Sequence, residues 1–193
     1  NLLDGTGPNG SIAIGNSALA VHTTGARNIA IGWEAMHDTN AGSTAQASND
    51  NTFIGYSAGG GTWANAESYG NVSLGNYTLD DSLNGAIYNT ALGYGALSDL
   101  ETGDGNVAVG TSAGQTTVDV DNTVLIGKQA GTGNLTSAAD GVIAIGFEAM
   151  KVHTTGARNM AIGYAAMNDT DAGSTSLGSN DNIFIGYDAG GGT

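Results

Sequence analysis

A short alternating pattern of apolar residues recurs along the whole chain. In each copy two mostly aliphatic positions flank one residue and a glycine follows directly, as in Ile29-Ala30-Ile31-Gly32. Apolar residues at every second position are typical of a β-strand, and no apolar stripe with the 3.6-residue period of a helix runs far enough to compete. The pattern predicts ten short strands, which end at Gly15, Gly32, Gly55, Gly75, Gly93, Gly110, Gly127, Gly146, Gly163 and Gly186.

The glycines that end these strands lie 17 to 23 residues apart. A single short strand cannot bury its apolar residues, but stacked copies of the same unit can. The sequence therefore predicts an all-β fold, a parallel β-solenoid with one coil per repeat and residues 1–193 in a single array. With about 4.8 Å between stacked strands, ten coils rise roughly 48 Å.

A longer repeat is superimposed on the short one. Residues 11–62 align with residues 142–193 without a gap, 131 positions apart, and 37 of these 52 positions are identical. The segment 21–28 returns unchanged as 152–159. Seven coils therefore form one larger unit, and we interpret the chain as a window from a longer array.

The residue before each glycine is aliphatic in every copy, and we predict that this column forms the hydrophobic core. Its members are Ile14, Ile31, Ile54, Leu74, Leu92, Val109, Ile126, Ile145, Ile162 and Ile185. The residue in the middle of each strand is also small or apolar, as at Ala13, Ala30 and Phe53. Both faces of the strand therefore look covered. The second covering is expected from another wall of the same coil or from neighbouring chains.

Two further columns carry structural predictions. Alanine stands three residues after the glycine in nearly every coil, which fits a second inward-facing position. Asparagine precedes the strand in most coils, as at Asn28, Asn51 and Asn71. Identical asparagine side chains at the spacing of stacked strands are predicted to hydrogen-bond along the column.

The few charged residues of the chain are strongly biased towards acids. They make up 11% of the residues, with 18 acids against four bases and a net charge of −14. Such a surface repels phosphate groups, so nucleic acid is not expected as a partner. The absence of cysteine excludes disulfides and thiolate metal sites. No apolar run approaches the roughly 20 residues of a membrane helix, so no membrane insertion is expected.

The repeats resemble those of known fibrous proteins. The strings Ser11-Ile12-Ala13-Ile14-Gly15 and Asn28-Ile29-Ala30-Ile31-Gly32 are similar to the head repeats of YadA-like trimeric autotransporter adhesins. Residues 89–97, with the sequence NTALGYGAL, are equally similar to repeats of phage and bacterial tail-fibre-type proteins. The resemblance implies a left-handed parallel β-roll, which is trimeric in the adhesin heads. We therefore expect a homotrimer, in line with the closed symmetry that most homo-oligomers adopt.

Two serines stand in a pattern that also occurs in hydrolases. Residues 55–59 and 110–114 both fit G-x-S-x-G, with Ser57 and Ser112 in the position of the nucleophile. The same position holds Glu34, Gln129 and other residues in the remaining coils. We therefore interpret it as a variable coil position, and an enzymatic function is not expected.

Candidate binding residues fall into two groups. The position after the strand-end glycine is aromatic at Trp33, Tyr56, Tyr94, Phe147, Tyr164 and Tyr187. These rings either form a platform for sugars or pack between coils or chains, and packing is the favoured interpretation. The second group consists of His22 and Arg27 with their copies His153 and Arg158. They are interpreted as an exposed connector, and the faithful repetition leaves a ligand or lateral contact as the alternative.

Calcium is the one metal for which the sequence offers ligands. Carboxylates cluster at 99–104 and at Asp119 and Asp121, and Ser-Asn-Asp-Asn turns occupy 48–51 and 179–182. Calcium takes six to eight oxygen ligands, and neither a 12-residue EF-hand loop nor a G-G-x-G-x-D repeat is present. Solvated acidic turns are therefore favoured, and no cofactor is expected.

These observations favour a non-enzymatic segment of an extracellular fibre, on a cell surface or a virion. Such a segment would hold adhesive or receptor-binding surfaces away from the particle, with host glycans or proteins as candidate partners. The alternative is a glycan-binding module in which the loops or the aromatic column engage the ligand.

Overall fold

Ten short strands stack in sequence order. The computed structural model describes residues 10–22, 25–39, 48–63, 66–168 and 180–191. The remaining parts of the repeat array, including most of the long connectors at 40–47 and 169–179, lie outside the described residues. The strands are β1 (Ile12–Ile14), β2 (Ile29–Ile31), β3 (Thr52–Ile54), β4 (Val72–Leu74), β5 (Thr90–Leu92), β6 (Val107–Val109), β7 (Val124–Ile126), β8 (Ile143–Ile145), β9 (Met160–Ile162) and β10 (Ile183–Ile185), and a 3₁₀ helix spans Ser137–Ala139.

The strands form one parallel sheet in which every strand pairs with its neighbours in sequence. The register places equivalent residues side by side, so that Ile29 pairs with Ile12 and with Thr52. This confirms the predicted all-β solenoid. The turns after each strand are also bonded between coils: Glu34 N donates to Asn16 O at 2.9 Å in the preceding coil, and Met36 N donates to Ala58 O at 2.9 Å in the following one.

The glycine that ends each strand is required by the stacking. These glycines have φ between 128° and 151°, where L side chains are rarely found. In the first nine coils, a Cβ on this glycine would collide with the backbone of the equivalent glycine in the next coil, as Gly32 shows against Gly55. Glycine is therefore needed both for its backbone conformation and for the close contact between coils.

The interior of the solenoid is lined by the middle residue of each strand. Ala30, Phe53 and Leu125 are fully buried, as are the alanines three positions after the strand-end glycine, such as Ala35. The predicted second inward column is thus confirmed. The column before the glycine, by contrast, points outward.

The prediction that this outward column forms the core was wrong for the chain by itself. Five of its members are exposed, namely Ile14, Leu74, Leu92, Ile126 and Ile185, and the other five, Ile31, Ile54, Val109, Ile145 and Ile162, are half-buried. Alternation fixes only that neighbouring residues face opposite sides. Because both faces are apolar here, the pattern could not tell which one lies inside.

Two columns point inward, the middle residue of the strand and the fourth residue after the strand-end glycine. A large side chain in one column is paired with a small one in the other. Ala30 is matched by Met36, whereas Phe53 is matched by Gly59, where a Cβ would collide with the phenyl ring. Leu125 is matched in the same way by Gly131. The sixth coil is the exception, because Ala108 and Gly114 are both small and Leu97 and Leu125 of the neighbouring coils fill the space beside Gly114. The other coils fill a similar interior volume in one of two ways, as close packing demands.

A polar pair replaces apolar residues in the fourth coil. Ser73 stands in the strand middle and Thr78 in the alanine column, and both are fully buried. Their hydroxyl groups are hydrogen-bonded to each other, and Thr78 Oγ1 also donates to Gly75 O at 2.9 Å. The two departures from the pattern compensate each other, since buried hydroxyl groups need partners.

The asparagine column forms the predicted ladder. Asn89 Nδ2 donates to Asn71 Oδ1 at 3.1 Å and to Gly103 O at 2.7 Å, and Asn89 Oδ1 accepts from the backbone N–H of Asn106 at 2.9 Å. The same bonds link the ladder from Asn28 to Asn106 without a break. All of these side chains are buried. The Asn89 amide therefore satisfies two backbone groups, Gly103 O and Asn106 N, and also bonds the asparagine side chain of the preceding coil.

Replacing Asn89 by alanine is expected to lower the free energy of unfolding by about 2–4 kcal/mol, because the carbonyl of Gly103 and the N–H of Asn106 lose buried partners. Urea denaturation followed by circular dichroism measures this loss. Asn16→Ala is the control, since Asn16 is exposed and its loss should change stability by less than about 0.5 kcal/mol. Equal effects of the two substitutions would contradict the role assigned to the ladder.

The pairing of a large with a small side chain in the two inward columns can be tested in the fifth coil. Ala91→Leu should overpack the interior by about 1–3 kcal/mol, because Leu97 already fills it. Leu97→Gly should cost at least about 2 kcal/mol through the cavity it leaves. The double variant recreates the Leu125–Gly131 arrangement and is expected to lose less stability than the sum of the two. Additive losses would contradict the complementarity.

Candidate functional site

His22 lies in the interior and not in an exposed connector. Its Nδ1 is 2.8 Å from Thr39 Oγ1, and its Nε2 is 3.0 Å from Gly25 O. Nε2 also lies 3.0 Å from Nδ2 of Asn28, so it faces one acceptor, the Gly25 carbonyl, and one donor, the Asn28 amide. Burial lowers the pKa of His22, and the hydrogen bond to Gly25 O opposes this shift in part. The ring is therefore held neutral.

The copy of this histidine occupies the same place. His153 is fully buried, and its Nε2 is 3.1 Å from Gly156 O. In other coils the corresponding interior position is filled by large apolar residues, including Leu83, Leu100 and Leu135. The faithful return of the loop is therefore explained by packing, and the interpretation of both histidines as exposed was wrong.

Arg27 does lie at the surface, as the sequence predicted. It forms a two-pronged ion pair with Asp50 of the next coil, with Nε 2.6 Å from Oδ1 and Nη2 2.7 Å from Oδ2. Arg158 and Asp181 repeat this pair at 2.7 and 2.9 Å. The hydrogen bond from Arg27 lowers the pKa of Asp50. Exposed pairs of this kind contribute little stability, so their role is to align neighbouring connectors.

The aromatic column divides into two geometries. Phe147, Tyr164 and Tyr187 stack nearly face to face, with ring centroids 5.1 and 5.2 Å apart and planes inclined by 22° and 11°. Tyr56 and Tyr94 lie on either side of Tyr77, each edge to face with it at 5.3 and 5.5 Å. Trp33 is half exposed on its turn. Within the stacked trio Tyr164 has a ring on each face, Lys128 lies over the Phe147 ring at 5.8 Å from its centroid, and Tyr187 is 79% exposed.

A third interior column was missed at the level of sequence. Trp63 is fully buried, packs 5.7 Å from Phe53 and donates from Nε1 to Gly59 O at 3.1 Å. The signal was present as a lone large residue seven or eight positions after the strand-end glycine, as at Leu83 and Leu100. The variable length of the connectors obscured the column.

The acidic residues proposed as calcium ligands form backbone contacts. Asp104 Oδ1 accepts from Ile87 N at 2.8 Å, and Asp121 Oδ1 accepts from Asp104 N at 2.7 Å. Burial raises the pKa of Asp104, and the neighbouring Asp121 adds to this. Asn49 occupies the same column and accepts from Ala26 N at 2.6 Å. The column thus serves as a set of turn acceptors, whether the residue is charged or not.

No cluster of three or more histidine or acidic side chains suited to a metal ion occurs among the residues that the structure describes. Ser179, part of one candidate calcium turn, lies outside them. Of the two serines in hydrolase-like patterns, Ser57 donates to Asp80 Oδ1 at 2.9 Å. Ser57 and Ser112 both have left-handed backbone angles, with φ of 50° and 55°. Glu34 and Gln129 share this conformation, as expected for a regular coil position.

A groove opens on the surface beside Tyr77 and Tyr94, with a volume of about 330 Å³. Asp80, Asp81 and Asp99 belong to its lining. Burial raises the pKa of Asp80, and the Ser57 hydroxyl and the backbone N–H of Gly60 oppose the shift. The groove joins aromatic and acidic side chains from successive coils.

Comparison with known proteins gives no match for this chain, whether with protein-family models, curated proteins or solved structures. Within the described residues no helix has both the length and the apolar character needed to cross a membrane.

The neutral state of His22 makes stability depend on pH. An unfolded histidine gains a proton as the pH falls through about 6.5, whereas folded His22 resists protonation because its pKa is lowered. The free energy of unfolding therefore falls progressively as the pH drops below about 6.5. Above that pH the buried neutral ring causes no such loss. His22→Gln should show a smaller loss of unfolding free energy between pH 7.5 and 5.5 than the unsubstituted chain, measured by urea denaturation. An unchanged loss would contradict the assignment.

Proposed function

We propose that this chain is a non-enzymatic structural segment of an extracellular fibre, of adhesin or tail-fibre type, which assembles with copies of itself as a homotrimer. The observation that carries the proposal is the outward face of the ten-stranded sheet. Two columns of side chains cover that face, one before and one after the buried middle residue. They run the full length of the described stack.

The composition of this outward face does not suit contact with water. All of its positions are apolar except Thr52 and Thr90, and none carries a charge. Ile12, Ile14, Val72 and Leu74 are each about half exposed in the single chain. Scattered exposed apolar residues are normal, but a continuous strip of them typically marks an interaction surface.

A second copy of the same face is the occupant that best explains this strip. Its ladders of Ile, Val and Leu repeat with the strand spacing, so an equally periodic partner would meet them coil by coil. Chains related by a closed rotation bury such faces without leaving an open edge. Three chains are proposed because the sequence resembles repeats that occur as trimers in adhesin heads.

The bonding between coils supports a stiff shaft that holds adhesive or receptor-binding surfaces away from the particle. Each coil is bonded to its neighbours through the strands, the turns and the asparagine ladder, which makes the stack resistant to bending. An extracellular location, on a cell or a virion, follows from this type of fibre.

Glycan binding by the aromatic column remains a separate hypothesis. Sugars stack on ring faces and not on edges, and Tyr164 has a ring on each of its faces. Within the stacked trio mainly Tyr187, which is 79% exposed, offers a face to a sugar. A glycan array probed with this segment distinguishes the two functions, since a shaft should retain no neutral glycan.

The apolar face can be tested by placing charges on it. Val72→Asp combined with Leu74→Asp is expected to reduce the molecular mass in sedimentation equilibrium from three chains to one, because each interface would bury unpaired carboxylates. The coil fold should persist, since both side chains point outward. Val152→Asp, in an exposed connector, is the matched control and should stay trimeric. A monomeric unsubstituted chain at micromolar concentration would disprove the assembly.

A further inference from the structure

The groove beside Tyr77 arises where two neighbouring coils depart from the repeat. Tyr77 is the aromatic residue in a column, two positions after the strand-end glycine, that otherwise holds Ser17, Glu34, Ser57, Gly95, Ser112, Gln129, Glu148, Ala165 and Asp188. Gly95, in the next coil, is the one glycine of this column. A large ring therefore stands directly beside a position without a side chain.

The backbone does not require glycine at position 95. Its φ is 62°, and residues such as Ser112 and Gln129 adopt φ of 55° and 59° at the same position in the next two coils. A Cβ on Gly95 would meet nothing closer than Ser112 Oγ at 3.9 Å. Glycine eases this left-handed backbone, but other coils accept a side chain in the same conformation. The missing side chain relieves no crowding, and its structural effect is to leave the groove open.

The walls of the groove combine aromatic and acidic groups. Tyr77 and Tyr94 meet at an angle of 67°, in contrast to the stacked rings elsewhere, and Tyr94 is 56% exposed. Asp80 and Asp81 come from one coil and Asp99 from the next. The backbone keeps these coils in register, with Asp81 N donating to Ser98 O at 2.8 Å and Asp99 N to Gln115 O at 3.1 Å.

The three carboxylates of the groove are held by local hydrogen bonds. Ser57 donates to Asp80 Oδ1, Ser82 N to Asp81 Oδ1 and the Ser98 hydroxyl to Asp99 Oδ1, at 2.9, 2.7 and 2.6 Å. In the described part of the chain, the ion pairs involve other acids, namely Asp50, Glu148 and Asp181. The groove thus concentrates negative charge that no basic side chain of the described chain neutralises.

We propose that this groove binds an organic cation, an alkylammonium or guanidinium group with an aliphatic stem. Tyrosine faces attract such cations, and carboxylates accept charged hydrogen bonds from them. The volume of about 330 Å³ lies at the lower end of small-ligand sites, which suits a stem of a few carbons. The cation comes either from a free polyamine or from a lysine or arginine side chain of a partner protein.

Other small ligands fit the groove less well. Anionic sugars are repelled by the three carboxylates. A neutral sugar would find hydrogen-bond acceptors, but it would leave the concentrated charge without compensation. The groove lies on the turns, away from the outward strand face, so this proposal does not depend on the trimer.

The test titrates the full chain at low ionic strength with spermidine and, separately, with a short neutral-backbone peptide carrying one lysine, by calorimetry. One site per chain is expected for at least one probe. Gly95→Gln places in the groove the side chain that Gln129 carries in the same column, and it should weaken binding by about tenfold or more. The variant should stay folded, because Gln129 adopts the same left-handed backbone conformation, and circular dichroism checks this. Asp81→Asn with Asp99→Asn should weaken binding similarly, while the amides keep the local hydrogen-bond acceptors.

Glu67→Gln is the matched control, because it removes an exposed charge that does not line the groove, and it should leave binding unchanged. An equal loss in this control and in Gly95→Gln would overturn the proposal in favour of general attraction to an acidic surface. Failure of both probes, or displacement of them by a neutral disaccharide, would also overturn it. Binding of spermidine identifies a free polyamine as ligand, and binding of the peptide alone identifies a partner side chain.

Discussion

The close approach of successive coils at the strand-end glycine governs the rest of the structure. The backbone of one glycine occupies the space that a Cβ on the preceding glycine would need, as between Gly55 and Gly75. The coils can therefore stack only in one register, with equivalent residues side by side. Once this register is fixed, a residue in one coil finds its partner in the equivalent residue of the next, and every column becomes a ladder.

Different ladders stabilise the structure in different ways. Asparagine amides satisfy buried backbone groups that the three-residue strands leave unpaired, as Asn71 does for Asn89 N at 2.9 Å. In every coil except the sixth, a large residue in one inward column is matched by a small one in the other, so that Phe53 with Gly59 replaces Ala30 with Met36. The interior is thus narrow and continuous, and its close packing explains why even polar residues such as His22 are enclosed with their partners in place.

Regular stacking also explains where binding features can arise. A strictly repeated column offers the same surface at every coil, as the outward strand face does, and suits an equally periodic partner. A position where one coil differs from the repeat creates a site that occurs once in the stack. The neighbouring positions of Tyr77 and Gly95 are such a departure, because ring and gap lie in adjacent coils of one column.

The sequence by itself determined the ten strands, the coil boundaries, the alanine column and the asparagine ladder, because each of these repeats at fixed distance from the glycine. It could not determine which strand face lies inside, since Ile14 and Ala13 are both apolar and alternation carries no direction. Nor could it place His22 and Trp63, whose columns are hidden by connectors of unequal length. The tertiary structure decided these points: the middle column packs against the large residue four positions after the glycine, so Ala30 lies inside with Met36 and Ile31 faces outward.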